Sequence, residues 1–213
     1  MALFVREMGT GQGAPVVLLH GFGGSHAVWG AIQDRLAGRT RTLAYDLPGH
    51  GGSLDVPDAG PAKVAASAIL ADLEARGIES AHLVGHSMGG AVAALMAILA
   101  PARVASLTLL APGGFGPEIN HRLLTRYASA ADAAALLPCL EAMFGWYSPV
   151  PDDIMAQLLA ARAAPGRVRK LVEIARGLAK DGRQGQLPRD RLEALAMPVA
   201  VAWGGLDNVL PAR

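Results

Sequence analysis

Ser87 occupies the middle of Gly85-His86-Ser87-Met88-Gly89-Gly90, a short strand-like apolar stretch ahead of it and the alanine-rich segment Ala91–Ala100 behind it. A serine wedged between a strand and a helix, with glycine two places to either side, is held on a tight bend with its hydroxyl outward. That is the strand–turn–helix setting of a nucleophile elbow. A non-glycine residue held in such a conformation costs about 1–3 kcal/mol, so neighbouring packing has to enforce it. Ser87 therefore reads as a nucleophile for acyl chemistry.

Two further groups belong to the same chemistry. The run Pro15–His20 leads into Gly21-Phe22-Gly23-Gly24-Ser25, where glycines let the backbone turn and leave amides free. The N–H of Phe22 and the N–H of Met88, the residue after the elbow serine, would aim at one point and form an oxyanion hole, in which one donor is worth about 3–4 kcal/mol. Asp207 lies just past the apolar run Met197–Trp203, 120 residues after Ser87 (207 − 87). Elbow enzymes place the acid after the serine in chain order, so Asp207 is the candidate to orient an imidazole. Asp46 and His50 sit in Asp46-Leu-Pro-Gly-His-Gly-Gly-Ser53, turn chemistry in which a carboxylate caps backbone amides rather than reacting.

These residues need a scaffold, and the hydrophobic pattern supplies one. Strands are expected at Leu3–Glu7, Pro15–His20, Thr40–Asp46, Ala81–Val84, Val104–Ala111 and Met197–Trp203. Helices are expected at His26–Leu36, with Val28, Trp29, Ile32 and Leu36 on one face, at Pro61–Arg76, and at Ala91–Ala100. Apolar strands alternating with helices predict an α/β fold with a mostly parallel sheet flanked by helices. Ligands on such sheets bind beyond the carboxyl ends of the strands, where His20-Gly21, Ser87 and Ala111–Gly114 fall.

From Gly116 the rhythm changes to helical segments, Ile119–Tyr127, Ala130–Phe144, Asp152–Ala163 and Gly166–Ala179. This predicts a first part of the core at 1–115, a helical lid at 116–186 and a last part of the core at 187–213. Leu123, Leu124, Tyr127, Leu136, Met143, Phe144, Trp146 and Tyr147 are candidates to line a pocket beneath the lid, and Arg122, Arg126 and Arg162 read as solvated surface charges, with contact to a substrate carboxylate as the alternative.

The 213 residues suit one such domain with an insertion, and 52% apolar residues give it a sizeable core. A net charge of +1 without a basic run argues against nucleic acid or a membrane surface as partner. The lone Cys139 reads as a buried thiol and, with no signal peptide at the start, points to the cytoplasm. The longest apolar run, about twelve residues from Ala91, is short of the ~20 that span a bilayer. The glycines of Gly9–Gly13 precede a strand rather than a helix and make no dinucleotide loop. No cofactor and no metal is called for; the expected partner is a small, mostly uncharged substrate, with the oligomeric state left open and a homo-oligomer allowed.

The set His20-Gly-Phe-Gly-Gly24, Asp46–Ser53, Gly85–Gly90 and Trp203-Gly-Gly-Leu-Asp207 resembles the α/β-hydrolase fold family along nearly the whole chain. With Leu109–Asn120 and the lid, it is most similar to two groups. One is the hydrolase-like domain of the acetoin dehydrogenase acetyltransferase component, here without a lipoyl or subunit-binding segment ahead of it. The other is the carbon–carbon bond hydrolases of aromatic degradation.

The resemblance implies a Ser-His-Asp triad whose histidine follows one more strand after the acid. All six histidines precede Asp207. His86 is tied into the elbow, His20 and His26 flank the oxyanion turn, and His121 is the one with reach for Ser87. The expectation is a truncated hydrolase whose histidine lies past Arg213, weakly active or inactive in this form, with an open edge on its last strand. The functional reading is a serine hydrolase of an ester, thioester or carbonyl-adjacent C–C bond. An acyltransferase using the same acyl-enzyme and a non-catalytic ligand-binding pseudo-hydrolase are the alternatives.

Overall fold

A computed structural model describes residues 2–144 and 149–212; Trp146 and Tyr147 lie outside the described residues. Among the described residues six strands form one sheet: β1 Val5–Met8, β2 Val16–Leu19, β3 Thr42–Tyr45, β4 Ala81–His86, β5 Val104–Leu110 and β6 Val199–Ala202. Their order is β1-β3-β2-β4-β5-β6. Only β1 runs antiparallel, against β3. Among the described residues β1 is also the only strand with charged residues, and the inner strands β2 to β5 carry none, the signature of strands buried between helical layers.

The register sets the functional rim. Leu19 pairs with both Tyr45 and Gly85, His86 with Leu110, and Leu110 with Ala202. The loops that follow β2, β3, β4, β5 and β6 therefore leave the sheet at one level, which brings residues from 20 to 207 to the same edge.

Alternation along the strands splits the core in two. Val17, Leu19, Leu43, Tyr45, Leu83, Leu107 and Leu109 face α2 (Ala62–Ala75) and α3 (Met88–Leu99). Leu18, Ala44, Val16, Val84 and Leu110 face the other way, onto Trp29.

On that second side the expected helical face is corrected. His26–Trp29 is a 3-10 turn, and α1 runs only Gly30–Leu36. Three residues per turn before the α-helix shifts the phase, so Val28 and Ile32 are 49% and 43% exposed while Trp29 and Gln33 are buried. Gln33 replaces the expected aliphatic contact by donating to Arg6 O at 3.1 Å and Thr42 Oγ1 at 3.0 Å.

The segment after β5 carries α4 (His121–Ser129), α5 (Ala133–Phe144), α6 (Asp152–Arg162) and α7 (Arg167–Leu178), followed by the short α8 (Arg189–Glu193). α8 has no counterpart among the sequence expectations; at five residues it is too short to show an apolar face. All four residues of β6 are exposed. Its outer edge is unpaired among the described residues.

Candidate active site

Ser87 holds φ 53° and ψ −116°, outside the regions an L-residue favours. The bend is pinned from both sides. Its N–H donates to Leu110 O on β5 at 2.9 Å, and its carbonyl accepts from Gly90 N at 2.9 Å, Ala91 N at 3.2 Å and Gly113 N at 2.9 Å. The flanking glycines are required by close approach: a Cβ on Gly85 would collide with the backbone of Gly89, and one on Gly89 with the carbonyls of Leu19 and His20. The sequence thus packs α3 directly on the strand ends and leaves Ser87 at the rim.

Two cavities meet at Ser87. One, of about 390 Å3, runs between α3 and the end of α7, past Met88, Leu95, Gly113 and Leu187. The other, of about 490 Å3, reaches beneath α5 and α6, past Tyr127, Leu140, Met143, Phe144 and Ile154. Phe22, Ser87, Leu124, Val209 and Leu210 border both. Leu124, Tyr127, Met143 and Phe144 line the space expected of them. Leu123 and Leu136 are buried among the inserted helices instead.

The loop with Phe22 is braced by imidazoles. Gly23 N donates to His50 Nε2 at 3.1 Å, Leu47 N donates to His20 Nε2 at 3.0 Å, and Gly24 N donates to Gly21 O at 3.1 Å. In each ring the other nitrogen, Nδ1, donates to a carbonyl: Gly21 O at 2.8 Å from His20 and Pro48 O at 3.1 Å from His50. These bonds require neutral rings, and the surroundings agree. Burial, aided by the neighbouring His50, pushes His20 down to about 3, and burial pushes His50 down to about 4. With its neighbours engaged, the Phe22 N–H has no partner among the described residues, and neither has the Met88 N–H at the start of α3.

Asp46 is fully buried and accepts from His26 N at 2.6 Å, His26 Nδ1 at 3.0 Å and Gly52 N at 2.7 Å. It is the amide cap expected from its turn. Asp207 shares the larger cavity with Ser87 and His86. Its Oδ1 accepts from Val209 N at 2.8 Å and Leu210 N at 2.9 Å, which fixes the carboxylate while Oδ2 has no partner among the described residues.

The histidines are redistributed relative to expectation. His86 is exposed toward the larger cavity rather than locked into the elbow, lying close enough to Gly21 that a Cβ there would come within 2.9 Å of Nδ1. Loss of water against the cavity wall lowers its pKa, and the charge of Asp207 opposes the drop. His121 borders a separate surface groove with Gly182, Arg183 and Asn208, so it does not approach Ser87. His82 is engaged with Ser106 Oγ at 2.8 Å. Among the described residues no imidazole is hydrogen-bonded to Ser87 or Asp207.

Residues 14–213 match the family described as "alpha/beta hydrolase fold". The chain belongs to the α/β-hydrolase fold family. This α/β-hydrolase is 38% identical over 209 residues to the dihydrolipoyllysine-residue acetyltransferase component of the acetoin cleaving system of Cupriavidus necator, across 98% of this chain and 56% of that protein. It thus spans about half the length of that relative. It is 33% identical over 213 residues to the pimeloyl-[acyl-carrier protein] methyl ester esterase of Aeromonas hydrophila, across 94% of this chain and 80% of that one. Among solved structures, a meta-cleavage product hydrolase of Pseudomonas fluorescens superposes with a TM-score of 0.83 at 22% identity, over 99% of this chain and 78% of the other, a likeness of fold. Among the described residues no helix of this α/β-hydrolase is long and apolar enough to cross a membrane.

Two features were not visible in the sequence reading: the bracing roles of His20 and His50, and the burial of Arg162 and Arg167, which are 5% and 6% exposed. For the histidines a signal existed, since both lie in glycine-rich turns where unpaired amides need acceptors. For the arginines there was none, because their partners are backbone carbonyls far away in sequence, such as Gly51 O for Arg167 at 2.9 Å.

Proposed function

We propose that this chain carries the acyl-accepting half of a serine hydrolase for an ester, thioester or carbonyl-adjacent C–C bond. The observation that carries the reading is the strained Ser87 at the junction of two cavities, between the unpaired amides of Phe22 and Met88. Ser87 Oγ attacks the carbonyl or activates water against it, the two amides stabilise the oxyanion, and Asp207 Oδ2 orients the imidazole that carries the proton. Among the described residues no imidazole is hydrogen-bonded to Ser87 or Asp207 to fill that role. Without it the serine stays protonated, and loss of a triad member lowers turnover about 10⁴- to 10⁶-fold. The inserted helices act as the lid, and their apolar lining favours a neutral, small to medium substrate.

Acyl transfer is the second reading, favoured by the acetyltransferase-component relative. It uses the same acyl-enzyme and hands it to an alcohol, amine or thiol instead of water.

The test is cleavage of short-chain aryl esters by the chain as it stands, with and without added imidazole. Slow release that depends on Ser87 and accelerates with imidazole supports the proposal. Release that is equal in Ser87→Ala refutes it. Product analysis with added alcohol then separates transfer from hydrolysis.

A further inference from the structure

The inserted helices do more than cover the strand ends. Arg162, on the last turn of α6, is buried without a carboxylate partner among the described residues. Its guanidinium donates to backbone carbonyls instead: Nε to Ala130 O at 2.9 Å, Nη2 to Tyr127 O at 3.2 Å and Nη1 to Leu158 O at 3.3 Å. Two of these carbonyls end α4, where unpaired carbonyls and the helix dipole favour a cation. The same guanidinium carbon sits 4.5 Å from the Tyr127 ring centroid. Arg162 therefore fixes both the end of α4 and the aromatic ring borne on it.

The Tyr127 ring is set directly against the loop that carries the Phe22 amide. It meets the Phe22 ring edge-on at 5.9 Å between centroids, and Phe22 also meets His50 edge-on at 6.1 Å. Gly23 has φ +77°, and a Cβ there would overlap the Tyr127 ring, so the aromatic face rests on bare backbone. Phe22 is thus in ring contact with both a core residue, His50, and an insertion residue, Tyr127.

We infer that Tyr127, locked by Arg162, is a positioning residue for the oxyanion donor, so that seating of the inserted helices and assembly of the oxyanion hole are one event. The inference rests on the proposed role of the Phe22 amide. It predicts that loosening the Tyr127 contact weakens binding of a tetrahedral adduct without equal loss of planar ligands, because only the adduct's oxyanion uses that amide.

The experiment compares phenylboronic acid, which becomes tetrahedral on Ser87 Oγ, with benzamide, which stays planar. In Tyr127→Leu and Arg162→Met the boronate Kd is expected to rise at least tenfold while the benzamide Kd changes less than twofold. Tyr127→Phe, which keeps the ring, is expected to hold the ratio of boronate to benzamide Kd within twofold of the wild-type ratio. Hydrogen exchange at residues 20–25 is read on the same variants and is expected to quicken in Tyr127→Leu alone of the two tyrosine variants. Should Arg162→Met fail to fold, the tyrosine pair decides. Equal weakening of both ligands, or unchanged boronate binding and unchanged exchange in Tyr127→Leu, overturns the inference. Boronate binding that survives Ser87→Ala strikes instead at the proposed function, and the exchange measurement then decides the positioning role by itself.

Discussion

Acidification should unfold this protein through two rings that never touch substrate. His20 and His50 are fully buried, and each accepts one backbone amide, so the native state keeps them neutral, with pKa values of about 3 and about 4. The unfolded chain binds a proton on each near 6.5, the ordinary value. Between about pH 4 and 6.5 the unfolded state therefore holds more protons than the native one, and stability rises with pH through that window. At pH 5 the linkage amounts to about 2 kcal/mol for each ring, about 4 kcal/mol together, a large share of the 5–15 kcal/mol typical of a domain. Urea unfolding at pH 7.5 and pH 5 measures it. His50→Gln is expected to be less stable at pH 7.5 but to lose about 2 kcal/mol less on acidification. A wild-type stability that differs by less than ~1 kcal/mol between the two pH values, or a His50→Gln variant with the full pH dependence, refutes the assignment of neutral, amide-accepting rings.

Two other outcomes follow from the packing. Gly89→Ala should destabilise by about 2–3 kcal/mol, lowering Tm by about 5–10 °C, although alanine is the better helix former by about 1 kcal/mol, because its Cβ would strike the Leu19 and His20 carbonyls. Thermal denaturation followed by circular dichroism decides the sign. Val201, 56% exposed on β6, whose outer edge is unpaired among the described residues, should tolerate Val201→Lys within about 0.5 kcal/mol while aggregation falls, as read by light scattering at rising concentration.

The strand positions, the elbow and the rim were legible because they rest on short-range signals: continuous Val and Leu runs, glycines two places from Ser87, and an aspartate just past a strand. The inserted helices were legible to within a few residues for the same reason, with α6 expected at Asp152–Ala163 and found at Asp152–Arg162. The face of α1 was misplaced because a 3-10 turn changes the phase of side chains without leaving a mark in composition. His121 was the histidine given reach for Ser87 from its place at the start of the insertion, yet it borders a separate groove with Gly182 and Arg183. The buried Arg162 depends on hydrogen bonds to main-chain groups of another helix, of which a side-chain pattern carries no record, while the braces at His20 and His50 left only the indirect signal of glycine-rich turns whose amides need acceptors.

The reading of the site is tested most directly by a crystal structure of the chain soaked with phenylboronic acid. The account predicts tetrahedral boron bonded to Ser87 Oγ, with one boron-bound oxygen about 2.7–3.1 Å from both the Phe22 and Met88 amide nitrogens. Boron bonded elsewhere, or an adduct whose oxygens face away from those two amides, would contradict it.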